Sequence, residues 1–259
     1  MTLLWWLCIV GLFALLGYAA YRWQVWRLPR KGLLVLMYHH IRPAATAKDV
    51  FSIRPEVFGQ QLALLQKKGF SFVTTDDIAR ARRGEKTLPQ KSVLLTFDDG
   101  YADNATHLFP LLQKYNAHAV IFLVTDFIGQ KKGYMSWDQA RQLQQSGLVT
   151  FGSHTCSHAR LRQLPDEQIR RELVDSKQKI EQELGVICNC FCYPFGSGGF
   201  DKRVRPLVLQ AGYELDFSTK PGINPLPWTG KKTLLRTFPR GGESLFDFYV
   251  QITRGKSRF

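Results

Sequence analysis

One stretch, SVLLTFDDGY at residues 92–101, limits what this chain can fold into more than any other. Val93, Leu94 and Leu95 continue through Thr96 and Phe97 with no polar alternation, the pattern of a strand buried on both faces of a parallel sheet. The run stops abruptly at Asp98-Asp99-Gly100. Asp-Gly favours a turn, and taken alone these residues read as one. Yet two adjacent carboxylates at the end of a buried strand are costly as packing, because each ionised group needs a partner or a metal.

Two further stretches offer what a metal-bound carboxylate requires. In FGSHTCSH, residues 151–158, a short apolar strand over 149–152 runs into His154 and His158. Their i, i+4 spacing puts both imidazoles on one side of a single turn, which suits a metal. In FCYPFG, residues 191–196, an apolar strand meets Pro194 and Gly196, which fix a turn able to leave backbone N–H groups facing a site.

Around these stretches, apolar runs alternate with amphipathic ones. Strands are expected over 33–38, 70–74, 92–97, 119–124, 149–152, 186–193 and 213–218, and helices over 55–68, 76–83, 103–115, 136–147, 165–184 and 201–211. Such β-α alternation argues for parallel strands with outer helices, either a barrel or an open doubly wound sheet. All three chemical stretches follow strands, on the face where α/β barrels carry their active sites. Residues 230–240 are basic and show no pattern, and the chain has no internal repeat.

T-F-D-D-G at 96–100, H-T-x-x-H at 154–158 and Y-P-F-G at 193–196, in this order, resemble the NodB-homology polysaccharide deacetylases, carbohydrate esterase family 4. The resemblance runs from about residue 33 to the C-terminus. The opening LLVLMYHHI, residues 33–41, is similar to the subgroup acting on poly-N-acetylglucosamine and related surface glycans. The resemblance implies a distorted, incomplete (β/α)7-type barrel. It also implies that Asp99, His154 and His158 hold a divalent metal, most often Zn2+. Asp98 would be the general base, and the turn of Tyr193, Pro194 and Phe195 would face the substrate, with the Phe195 N–H on the oxyanion.

Two positions depart from the family pattern. Many members carry an arginine two residues before the Pro of the third motif, where it holds the catalytic aspartate; here that position is Cys192. Many also use a late histidine as general acid, and no His follows His158. His39 is the candidate for that role, because it ends the first strand and can project into the face that carries Asp98. A packed core histidine accounts for it equally well. On an extended chain His40 points the other way and reads as structural. His107 and His118 fall on or beyond a helix. Arg236 and Arg240 read as surface charge, with phosphate or glycan hydroxyls as the alternative. Trp137 and Trp228 could stack on sugar rings or serve in capping and packing.

The 259 residues carry a formal net charge of +14, with 45% hydrophobic and 22% charged residues. This composition is globular, not disordered. The basic residues are spread along the chain without a nucleic-acid-binding motif, so anionic phospholipid or a phosphate-bearing substrate explains the charge better than nucleic acid. Of the five cysteines, Cys188, Cys190 and Cys192 alternate on an expected strand and should all face one way. The odd count argues against a disulfide scaffold and leans towards a reducing compartment.

Residues 3–21 carry no charge, and Trp5, Trp6, Tyr18 and Tyr21 sit where interfacial aromatics belong. A cleaved signal peptide would want a basic n-region, which only the α-amine supplies. The expected organisation is therefore a transmembrane anchor with its basic flank at 1–31 and a catalytic domain at 32–259. Arg22, Arg27, Arg30 and Lys31 follow the apolar run, and the positive-inside rule then puts the domain at the cytoplasmic face of a bacterial inner membrane. Some relatives resemble enzymes that deacylate undecaprenyl-phosphate sugars at that face. The expected activity is metal-dependent N-deacetylation of an N-acetylhexosamine. A polyprenyl-phosphate-linked sugar of lipopolysaccharide or lipid A modification is the preferred substrate. A secreted poly-N-acetylglucosamine-type polysaccharide, met on the periplasmic side, is the alternative, as is a non-catalytic glycan-binding pseudoenzyme.

Overall fold

The computed structural model describes residues 2–23, 28–227 and 232–255; Arg27 and Trp228 lie outside them. The chain opens with α1 (Thr2–Trp23), whose described apolar side chains are largely exposed. It is one helix long and apolar enough to span a bilayer or to act as a signal anchor.

The body of the protein is a curled sheet. In chain order its strands are β1 (Gly32–Tyr38), β4 (Ser71–Phe72), β5 (Lys91–Phe97), β6 (Ala119–Leu123), β7 (Val149–Ser153), β8 (Cys190–Cys192), β9 (Leu215–Phe217) and β10 (Ile223–Asn224). A small separate pair joins β2 (His40–Ile41) to β3 (Ser52–Ile53). The sheet runs β10-β1-β5-β6-β7-β8-β9, and all its pairings are parallel except β1 with β10. β1 pairs with β5 along its whole length, while β4 and β6 divide the other edge of β5: Phe72 meets Val93, and Ala119 meets Leu95. This is the distorted (β/α) barrel that the family resemblance implies, and not the open doubly wound sheet that the alternation also allows, with seven parallel strands among the described residues.

Residues 233–237, unpatterned in the sequence, close the curl. Leu234 bridges Phe217 of β9 and Thr237 bridges Leu36 of β1, both in parallel sense. The Thr237 N–H donates to Val35 O at 2.8 Å, and Met37 N–H donates back to Thr237 O at 2.9 Å. The segment escapes pattern reading because one of its inward side chains is Arg236.

Alternation along the strands divides the core in two. Leu33, Val35, Leu94, Val120, Phe122, Cys190, Cys192, Leu215, Phe217 and Leu234 fill the barrel interior. Their neighbours, such as Leu34, Leu36, Val93, Leu95, Ile121 and Phe191, face the surrounding helices. Packing is close: a Cβ at Gly152 would lie 2.6 Å from Phe122 Cδ1, so β7 admits no side chain there.

The helices are α2 (Pro55–Lys67), α3 (Thr75–Arg82), α4 (Phe109–Tyr115), α5 (Trp137–Gln145), α6 (Asp166–Leu184), α7 (Val204–Gln210) and α8 (Leu245–Arg254). Ser136 and Gln139 form a reciprocal capping box on α5, and Gly185 ends α6 in the left-handed region at φ 66°. Thr74 caps α3, with Asp77 closing the box. The helix expected over 103–115 is broken: Asn104–Leu108 forms a π-helical turn before α4. The strand expected over 186–193 shrinks to β8. Cys188 donates its N–H to Glu181 Oε1 at 3.0 Å instead of joining the ladder, and it packs in the outer core, opposite Cys190 and Cys192. The three thiols therefore do not face one way.

Candidate metal centre and active site

The parity that sends Leu94 into the barrel also sends Thr96 and Asp98 inward at the C-terminal end of β5. The same parity carries Arg236 in beyond Leu234, and Cys192 beyond Cys190. Arg236 is fully buried and donates to both oxygens of Asp98, Nη1 to Oδ1 at 2.7 Å and Nη2 to Oδ2 at 2.8 Å. Its remaining donors go to Ser218 O at 2.8 Å and Thr96 Oγ1 at 3.0 Å. The surface-charge reading of Arg236 is thus wrong: the guanidinium fork is the counter-charge that lets a buried carboxylate stay ionised. Burial pushes the Asp98 carboxyl up, but the Arg236 charge and hydrogen bonds outweigh it and hold the group below the usual carboxylate range. The Cys192 thiol lies 3.0 Å from Arg236 Nη2. The arginine missing at position 192 is replaced by one that reaches the same aspartate from the closing segment. Arg240 remains exposed, beside the Phe238 ring.

Asp99 turns away from its neighbour. It has φ 77°, and its Oδ1 lies 3.5 Å from His154 Nε2 and 3.3 Å from His158 Nε2. His154 hydrogen-bonds through Nδ1 to the Cys192 carbonyl at 2.7 Å. A carbonyl only accepts, so Nδ1 carries the proton and the Nε2 lone pair faces Asp99. Burial pushes the His154 imidazole down to about 4, which keeps it in the neutral form a ligand needs. Asp99 Oδ1 is buried without a hydrogen-bond partner, and the candidate ligand atoms of Asp99, His154 and His158 all lie within 4.8 Å of one another. An orphaned carboxylate oxygen facing two imidazole nitrogens fits a divalent cation. A second close set, Asp98, His154 and Cys192, fits less well, because Arg236 occupies both oxygens of Asp98 and burial pushes the Cys192 thiol far up.

The third motif folds as a short turn, Pro194–Gly196, in which Phe195 has φ 55°. Its half-exposed ring lies 4.5 Å from that of His158, and the Arg160 guanidinium sits 3.7 Å over its face. Pro194 is buried. Tyr193 is not available to a substrate: its ring is fully buried and its hydroxyl donates to Asp216 Oδ2 at 3.0 Å, so it braces the turn from below. Among the described residues, non-glycine positive φ occurs at Asp99, Thr155, His158 and Phe195 around this site and at Asn116, which ends α4. Such backbone costs about 1–3 kcal/mol per residue and concentrates where a site must be held in one geometry.

Residues 85–215 match the family model for polysaccharide deacetylases, half of the chain. The chain belongs to this family. YxkH of Bacillus subtilis (strain 168), named by assignment to the same family, is 28% identical over 73% of this chain. The poly-beta-1,6-N-acetyl-D-glucosamine N-deacetylase of Escherichia coli (strain K12) is 26% identical over 77% of it. The chain spans 65% of the length of the first relative and 35% of the second. Among solved structures, the Streptococcus pyogenes deacetylase PplD in complex with acetate superposes with a TM-score of 0.77 at 25% identity, over 87% of this chain and 99% of PplD.

Two residues outside the matched stretch stand close to these groups: Arg236, on Asp98, and His39, whose imidazole feels the charges of Asp98 and Asp99. The His39 ring packs edge-on against Phe51 and Phe238, with centroids 4.9 and 5.7 Å away, and its Nδ1 is buried without a partner. Burial lowers its pKa, opposed by the charges of Asp98 and Asp99. His40 is tied to Asp103 at 2.5 Å and stacks on Tyr101 at 3.6 Å. His107 and His118 lie in the π-helical turn and after α4, half-buried. Trp137 packs on the core at the first turn of α5, as a structural residue would. Sequence reasoning places Arg236 on the surface and passes over Asp103, Asn104 and the Tyr101–Tyr134 ring pair. Nothing in hydrophobic periodicity marks them.

Proposed function

We propose that this protein is a divalent-metal-dependent carbohydrate N-deacetylase acting on a polymer of the poly-β-1,6-N-acetylglucosamine class. The observation that carries the reading is the juxtaposition of the orphaned Asp99 oxygen, two imidazole Nε2 atoms and an arginine-held Asp98 at the C-terminal end of one barrel. Asp99, His154 and His158 would hold the cation, with Zn2+ the ion best suited to one carboxylate and two imidazoles. When bound, it supplies Lewis acidity to the amide carbonyl.

The protein's own groups do the rest. Asp98, kept ionised by Arg236, takes the proton of the attacking water. The Phe195 N–H stabilises the developing oxyanion, and Pro194 and the braced Tyr193 fix its turn. His39 delivers a proton to the departing amine. The products are acetate and a free amino sugar.

The lipid-linked sugar preferred from the flanking charge loses its place to the polymer. The Escherichia coli relative is named for a poly-β-1,6-linked glycan, and that reading also fits the opening 33–41 segment. The pseudoenzyme reading weakens as well, since it draws on the missing arginine and the missing late histidine, and Arg236 makes good the first. We assign residues 1–31 to a membrane anchor, residues 32–259 to the catalytic unit, and the domain to the outer side of the membrane, where an exported polymer is within reach. The test is acetate release from poly-β-1,6-N-acetylglucosamine oligomers against a polyprenyl-phosphate-linked N-acetylhexosamine, each with and without chelator. Chelator-sensitive release from the oligomers is expected; release from the lipid-linked sugar alone would reverse the substrate assignment.

A further inference from the structure

The π-helical turn Asn104–Leu108 begins a few residues after the Asp98-Asp99 loop and reaches back to the end of β1. Its contacts fall on three consecutive residues. Asn104 is fully buried and donates one amide hydrogen to the His39 carbonyl and another to Asp103 Oδ1, each at 3.0 Å. Asp103 Oδ1 also accepts the Ile41 N–H at 3.3 Å. Asp103 Oδ2 takes His40 Nδ1, and the other face of that imidazole unit is covered by Tyr101. Tyr101 is fixed in turn by its ring contact with Tyr134 and their backbone bridge.

The His39 ring is held differently. Its Nδ1 is unpartnered, and its named ring contacts are the edges of Phe51 and Phe238. Aromatic edges resist large rotations but do not set the height of a backbone, so the position of His39 depends on what fixes its carbonyl and the two residues that follow. The extra residue of a π-turn shifts the side chains after the Asp-Asp loop relative to an ordinary helix, and such turns recur at functional sites. Here Asp103 caps the turn and Asn104 opens it, and together they set an acid and an amide against residues 39–41.

We propose that Asp103 and Asn104 are positioning residues that fix His39 relative to Asp98 and Asp99. They couple the loop that carries the carboxylates to the segment that carries the imidazole, with His40 as the hydrogen-bonded partner through which Asp103 grips β2. This rests on the reading of His39 as the proton donor of the reaction.

A double-mutant cycle in the full-length protein tests it, reading kcat and KM separately with oligomeric N-acetylglucosamine, together with bound metal and Tm. Asp103→Asn keeps shape but loses the charge, and should lower kcat about 10–100-fold, at most the lower end of the roughly 10²–10⁴-fold that a general acid–base group supplies, with KM within about 2-fold and metal retained. In a His39→Ala background the same change should have no further effect on kcat, because there is no longer an imidazole to position. If Asp103→Asn proves unfolded, His40→Gln breaks the same grip from the other side and is read in the same cycle. Multiplicative losses in the double variant, or wild-type kcat in both Asp103→Asn and His40→Gln, would overturn the proposal while leaving His39 untouched. Wild-type kcat in His39→Ala would instead overturn the reading of His39 on which it rests.

Discussion

The guanidinium of Arg236 and the carboxylate of Asp98 meet through two parallel hydrogen bonds, 2.7 and 2.8 Å long, with the arginine side chain wholly removed from solvent. A buried pair of this kind adds little net stability, because desolvating both charges offsets their attraction, but breaking it from one side leaves an uncompensated charge. Arg236→Met should therefore cost about 3–5 kcal/mol of stability at neutral pH. It should also raise the Asp98 pKa, since the nearby cation is what favours the ionised form. The base would then be protonated at higher pH, so the acidic limb of the kcat/KM profile should move upward. Arg236→Lys keeps a charge without the fork and should fall between the two. A folded Arg236→Met protein whose acidic limb is unmoved would show that Asp98 is not the group being titrated.

Adjacent aspartates with different partners should separate cleanly by substitution. Asp99→Ala, His154→Ala or His158→Ala removes one of the three atoms grouped within 4.8 Å. Each should abolish stoichiometric metal, measured by elemental analysis, and with it the rise in Tm that a cation gives by binding only the folded state. Asp98→Asn should retain the metal and its thermal shift while turnover falls about 10²–10⁴-fold. Metal lost from Asp98→Asn would move Asp98 into the ligand set.

Much of this arrangement was readable from the chain, and the reason is physical. The apolar run of β5 stops at two aspartates and the short, largely buried β7 runs into His154, so the transition from core to site is written in local composition. Arg236 is different. Its burial depends on a carboxylate 138 residues away and on a closing segment that makes only single bridges to β9 and β1. No local pattern records such a partner, and an arginine without one reads as surface. The π-turn hides for a related reason, since residues 103–115 have helical spacing and the change of register appears only once Asn104 meets the His39 carbonyl. The expected strand over 186–193 exceeds β8 because a Cys-x-Cys-x-Cys alternation looks pleated, although Ile187 is 81% exposed and the Cys188 N–H is spent on Glu181.

Glu243, just before α8, gives a pH dependence outside the catalytic chemistry. It accepts from Gln251 Nε2 through both oxygens, at 2.8 and 2.7 Å. Burial pushes its pKa up to about 7, with Asp247 adding to the rise and the hydrogen bonds and Arg240 opposing it. A carboxyl whose folded pKa lies above its unfolded value, near 4.5, takes up a proton on folding. Its stabilising contribution is complete below about pH 4.5, declines from there to pH 7, and is absent above. Glu243→Gln, neutral at every pH, should therefore gain stability relative to wild type as pH rises across that window, by up to about 3 kcal/mol. Thermal melts at pH 4.5 and 8 decide it: a Tm difference between the two proteins that does not change with pH would mean that Glu243 ionises normally.

Topology is where charge and substrate pull in opposite directions. Arg22, Arg27, Arg30 and Lys31 all lie on the C-terminal flank of the apolar run, and flanking basic residues resist translocation. An exported glycan polymer requires the domain outside. One of these charges has a use within the folded protein, since Arg22 contacts both oxygens of Asp247 at 3.2 Å and ties the end of α1 to α8. A basic residue that anchors the domain to its own helix need not be there to report orientation. Because the family relationship favours the polymer, we expect a C-terminal alkaline phosphatase fusion to be active and a fluorescent protein fusion exported by the general pathway to stay dark. Arg22→Gln should leave that topology unchanged while lowering Tm, as loss of a partly buried pair would. A bright fluorescent fusion with an inactive phosphatase would show that the flanking charges set the orientation. The substrate would then have to be reachable from the cytoplasmic face, and the polyprenyl-phosphate-linked sugar would return to first place.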